Sequence, residues 1–100
     1  MEYELQQTTD FLVIRLSGRL SFGDHRTFSE IVNRIALAGE RHTIVDVTDL
    51  ASIDSTGFGM LVVAKEVATK ASGGFRIRNA NDQFVSLAER VCADRVMRID

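Results

Sequence analysis

The chain has 100 residues, 45% of them hydrophobic and 26% charged, with a formal net charge of −2. That profile belongs to one globular domain spanning residues 1–100, able to bury roughly two thirds of its unfolded surface, and not to a disordered chain. The absence of a basic cluster argues against a nucleic-acid partner. No apolar run reaches the length of a membrane span, and the start Met-Glu-Tyr-Glu lacks the basic region of a signal peptide, so the expectation is a cytoplasmic protein without a membrane partner.

Taken in chain order, Tyr3 and Leu5 alternate with polar neighbours and predict a short edge strand. Thr8-Thr9-Asp10 reads as a turn into F-L-V-I-R-L, a hairpin-paired and nearly all-apolar strand that Gly18 is expected to end. From about Asp24 the apolar residues fall at Phe28, Ile31, Val32 and Ile35, one face of a helix. Ser21 or Asp24 is placed to cap its start and Gly39 to terminate it. T-I-V-D-V, Thr43 to Val47, is β-branched and predicts a central strand. A second helix should begin at Asp54 or Ser55 and run to about Lys70, with Met60, Val63, Ala64, Val67, Ala68 and Ala71 facing the core. Phe75 and Ile77 alternate with arginines in a strand after Gly73-Gly74. Asn81 caps a third helix with the stripe Phe84, Leu87, Ala88 and Val91, and Val96 to Ile99 reads as a last strand. The order β-β-α-β-α-β-α-β predicts an α/β domain, a mixed sheet with helices packed on it. Cys92 is the only cysteine, so no internal disulfide forms, and it reads as a small buried hydrophobe.

The junction I-D-S-T-G-F-G-M-L, Ile53 to Leu61, carries the functional argument. It lacks the glycine two residues before the serine that a nucleophile elbow requires, and neither His25 nor His42 is placed to serve Ser55 as a base. Gly57-Phe58-Gly59 is too short for a dinucleotide loop, and the P-loop lysine is missing. Asp46, Asp49 and Asp54 around a strand end read as solvated or capping residues and not as a metal site. What remains is a serine at a helix N-terminus, where a phosphate meets free N–H groups and a favourable dipole. Phe58 and Val62 project away from the expected core stripe. They are covered by a neighbouring helix, or they form a contact surface beside Ser55.

D-S-T-G-F-G-M-L, preceded by T-I-V-D-V-T-D-L-A-S-I, resembles the signature of the anti-sigma factor antagonist branch of the STAS domains. The likeness extends to G-R-L at Gly18, the Gly73-Gly74 strand entry and the final V-M-R-I. It implies phosphorylation at Ser55 and a partner-binding surface comprising Asp54, Ser55, Thr56, Gly57, Phe58 and Val62. It further implies a non-enzymatic, cofactor-free role in partner switching. The unphosphorylated protein binds an anti-sigma factor that is also a serine kinase, phosphorylation releases it, and a metal-dependent serine phosphatase resets it. Phe58 replaces the usual leucine, Leu20-Ser21-Phe22-Gly23-Asp24 replaces the commoner Leu-Asp, and no helix follows the last strand as it does in many relatives. Two other classes stand beside this reading. One is a STAS subunit contacting the ATPase of a lipid or solute transporter; the other is a small-ligand or nucleotide binder.

Overall fold

The structure, a computed structural model, describes residues 1–100. Strand β1 (Glu2–Gln7) pairs antiparallel with β2 (Phe11–Leu20), and the parallel strands β3 (His42–Ile53), β4 (Phe75–Arg78) and β5 (Arg98–Ile99) follow in spatial order. Helices α1 (His25–Ala38), α2 (Ser55–Lys70) and α3 (Asp82–Arg90) form the three crossovers. Because successive crossovers of one hand step across the sheet in one direction, they deposit all three helices on the same face. One core accordingly joins Leu12, Ile14, Leu16, Val45, Val47 and Ile77 of the sheet to the buried residues of every helix.

Local chemistry sets most boundaries where the sequence places them. Gly39 ends α1 at φ 63°, a conformation that costs an L residue a steric clash. The Asn81 side chain accepts the Phe84 N–H at 2.8 Å, a capping bond at the start of α3.

Several expectations are corrected. Gly18 does not end β2; it takes φ 81° at a register irregularity, and the strand continues to Leu20. Strand β3 likewise runs past Val47 to Ile53, because register shifts against β2 at Val47–Thr48 and at Ala51 absorb the extra residues and let pairing resume. The last strand is only Arg98–Ile99, since Ala93–Arg95 winds into a 3₁₀ turn first. In α3, Phe84 and Ala88 are buried and Leu87 partly so, but Val91 at the helix end is exposed. Cys92 is exposed too, holding the left-handed position (φ 60°) that closes α3.

Helix α2 contains the largest correction. Being central among the three helices, it is buried on three sides: against the sheet, against α1 and against α3. Its buried residues Phe58, Leu61, Ala68, Gly57, Ala64 and Met60 sweep an arc of about 160° at 100° per residue, wider than any single stripe. Phe58 lies inside that arc with 1% of its surface exposed, its ring 4.8 Å from that of Phe84 in α3. The expected solvent-facing contact surface at Phe58 is therefore wrong. Val63, expected in the core, is 49% exposed instead.

Candidate functional site

Ser55 sits at the carboxyl end of the parallel strands, where loops following β2, β3 and β4 converge. Asp54 is the N-cap of α2: its Oδ1 accepts the Gly57 N–H at 2.7 Å, satisfying one of the donors that every helix leaves free at its start. Ser55 and Thr56 are then the first two helical residues, and both are exposed. The hydroxyl pair thus stands at the positive end of the helix dipole, with the cap beneath it occupied by a carboxylate.

Gly57 positions this turn. A Cβ there would lie 2.6 Å from the Ile53 side chain and 2.7 Å from the Leu20 carbonyl oxygen, so only glycine lets the helix start press against the end of β2. The Asp54 N–H donates to that same Leu20 carbonyl at 3.3 Å. The loop after Leu20 is itself stapled. The Ser21 N–H donates to an Asp24 carboxylate oxygen at 3.0 Å, and the Met1 ammonium meets the other at 3.0 Å. These bonds hold the Asp24 carboxyl below its usual range, the backbone donor of Ser21 contributing most. The turn so fixed carries Phe22, which is 73% exposed.

Gly59 is one turn beyond Ser55 on the same side of α2. It is exposed, and nothing lies within 4 Å of a Cβ placed there. A glycine inside a helix costs roughly 0.5–1 kcal/mol against alanine, and here no intramolecular packing requires it. Ser55, Gly59 and Val63 therefore make one smooth exposed strip, with Val62 half-buried at its margin. Beside the strip is a half-open cleft between α1 and α2 of about 220 Å³, lined by Phe28, Val32, Met60 and Val63 with His25, Ser29 and Asn33.

Among the sequence-selected residues, the structure brings together Asp54, Ser55, Thr56 and Gly57, and sets Val62 at the edge of the same surface. Phe58 is directed away from it into the core. The sequence pattern assigns Val63 to the core and gives Gly59 and Phe22 no place on this surface; a glycine inside a helix with no packing role is the signal that marks the exposed side of α2. Asp46, Asp49 and Asp54 do not gather, and no group of three or more His, Cys, Asp or Glu side chains is arranged to hold a metal ion.

Asp46 has a separate, structural task. It is 5% exposed and lies on the sheet face without helices. It accepts the Thr48 hydroxyl at 2.6 Å, the Thr48 N–H at 2.9 Å, Arg78 Nη2 at 2.9 Å and the Asn79 amide at 3.3 Å. Burial opposes its ionisation, but these donors outweigh it and hold the carboxyl far below the usual range.

Comparison with known proteins places this geometry in context. A STAS-domain containing protein of Pseudomonas aeruginosa strain UCBPP-PA14 (PA14_20770) is 28% identical over 72 residues, covering 72% of this chain and 70% of that protein. The anti-sigma factor antagonist SpoIIAA in its unphosphorylated form superposes with a TM-score of 0.79 at 19% identity, covering 99% of this chain and 88% of that one. The phosphorylated form of SpoIIAA, from Bacillus, superposes at 0.70 with 20% identity, covering 99% and 91%. No helix is long and apolar enough to cross a membrane. The family model of the STAS domain matches residues 2–100, and the chain belongs to the STAS domain family.

Proposed function

We propose that this protein is a phosphorylation-switched, non-enzymatic antagonist of an anti-sigma factor that is also a serine kinase, acting in the cytoplasm and reset by a serine phosphatase. Unphosphorylated, it binds that partner through the strip Ser55–Gly59–Val63, with Thr56, the margin at Val62 and the turn bearing Phe22. The observation that carries this reading is the strip itself: an exposed serine at a helix start, followed one turn later by a glycine with no packing role. A glycine there lets a partner's backbone approach the helix closely. The fold relative SpoIIAA, an anti-sigma factor antagonist solved with and without phosphate, supports the direction of the reading.

The switch is electrostatic. In the free protein a phosphate on Ser55, carrying about −1.5 to −2 charges, meets solvent and the helix dipole, which favours it by roughly 0.3–1 kcal/mol. Asp54 opposes it by a similar order, so the fold is left almost undisturbed. In the complex the partner that covers Gly59 and Val63 also covers Ser55. A dianion desolvated against a surface shaped for a hydroxyl costs several kcal/mol, enough to lower affinity about 100-fold.

The test begins with the tagged chain in cells that naturally make it, comparing wild type and Ser55→Ala. A serine kinase retained by both, and released from wild type alone by ATP and magnesium with phosphate appearing on Ser55, is the expected result. An ATPase retained equally with and without nucleotide would make the strip a constitutive transporter contact and overturn the switch.

A further inference from the structure

The sheet face opposite the helices is bare. Parallel strands are almost always covered on both faces, and β2 to β5 are parallel. The bare face divides by charge. Its β1 side carries Glu2 and Glu4, while β4 and β5 present Arg76, Arg78 and Arg98. Arg78 is neutralised by Asp46. Arg76 and Arg98 are not so matched: they stand directly opposite each other across β4 and β5, an arrangement that repels. They share one carboxylate, Asp100, at 3.7 and 3.3 Å. The Nε of Arg76 is buried and has no acceptor at all.

Next to this excess of positive charge is a rigid aromatic shelf. Phe11 and His42 are register partners at the first residues of β2 and β3, with ring centroids 6.2 Å apart and planes at 71°. The imidazole occupies the space that a side chain at position 74 would take, so Gly74 keeps it flat against the strand. Phe11 is 41% exposed. Burial, and then the charges of Arg76 and Arg98, hold the His42 pKa below its usual value, which registers the positive potential of this corner.

We propose that the corner formed by Phe11, His42, Arg76 and Arg98 docks an acidic segment of a partner protein. Carboxylates of the segment pair with the exposed parts of the two guanidiniums, whose side chains are 31% and 67% accessible, and an apolar side chain between them lies on Phe11. Arginine and aromatic residues in fixed positions are the usual anchors of an interface, and bidentate carboxylate binding is what a guanidinium does best. The protein's net charge of −2 disfavours diffuse attraction of an acidic peptide, so binding there must be local. The corner is at the amino ends of the parallel strands and on the face opposite α2, so it is independent of Ser55.

The test is an amide NMR titration of the labelled protein at low salt with the capped peptide Glu-Glu-Leu-Glu-Glu. Its lysine counterpart and a short oligothymidine serve as competing probes. Expected are shifts confined to Phe11, His42, Gly74, Arg76, Arg98 and their neighbours, unchanged in Ser55→Ala, with no response to the lysine peptide. Arg98→Gln, altering a side chain that is 67% exposed and cannot disturb the core, should weaken binding several-fold. Arg76→Gln combined with it should weaken binding by about tenfold or more, the loss of two charge-assisted contacts. Absent or scattered shifts, or affinity unchanged in Arg98→Gln, would overturn the proposal. Oligothymidine moving the same amides at lower concentration than the acidic peptide would overturn it too, making the corner a nucleic-acid surface.

Discussion

Replacing Phe58 by alanine separates a core role for this ring from a surface role most sharply. The ring is 1% exposed and packs at 4.8 Å on Phe84, so truncation removes both the burial of an aromatic side chain and one face of an aromatic pair. Phenylalanine-to-alanine changes in cores cost about 3–5 kcal/mol, and the pair itself accounts for about 0.5–1.5 of that. For a domain of this size each kcal/mol lowers the melting temperature by about 4–8 °C, so a fall of roughly 12 °C or more is expected. Urea unfolding followed by circular dichroism gives the free energy directly, with an unchanged slope showing that the compactness of the end states is preserved. Phe58→Leu, which refills most of the volume, should recover more than half of the loss. Destabilisation below about 1 kcal/mol would refute the packing described for α2 and return Phe58 to the partner surface.

Gly59→Ala should raise stability by about 0.5–1 kcal/mol and weaken partner binding, a pairing of opposite signs seen by thermal melting and calorimetric titration. Gly57→Ala should instead destabilise by about 1–3 kcal/mol, because its Cβ would meet a backbone carbonyl as well as Ile53, and Asp54→Ala should cost about 0.5–2 kcal/mol through the lost cap. Because the Asp46 carboxyl is depressed below its unfolded value near 3.9, the stability it supplies is complete above that value and is lost as pH falls towards the folded pKa. Asp46→Asn should therefore lower stability at neutral pH by about 2–3 kcal/mol and flatten the acid limb of the stability profile, read from denaturant midpoints between neutral pH and about pH 3.

The elements whose boundaries rest on local chemistry are legible in the sequence: Gly39 and Asn81 at helix ends, and the β-branched run from Thr43 to Val47. Strand lengths are not, because whether Gly18 ends a strand or sits at an irregularity depends on its partner in β3. The position of Ser55 at a helix start followed from Asp54 and the apolar run behind it. The rotation of α2 did not follow, since a helix flanked on both sides buries more than a stripe, and its sequence then holds no single period to read. Phe58 and Val63 exchanged places for that reason. The positive corner of the bare face was equally hidden, for its residues come from β2, β3, β4 and β5 and meet only through the register.

The central claim is that phosphate on Ser55 controls binding locally. Calorimetric titration of the unmodified and the stoichiometrically Ser55-phosphorylated protein against the same purified partner kinase, without nucleotide, tests it most directly. The account predicts affinity lower by about 100-fold or more for the phosphorylated form, with backbone amide spectra of the two free proteins differing only around Ser55 and the first turn of α2. Equal affinities, or spectral changes spread across the sheet, would contradict it.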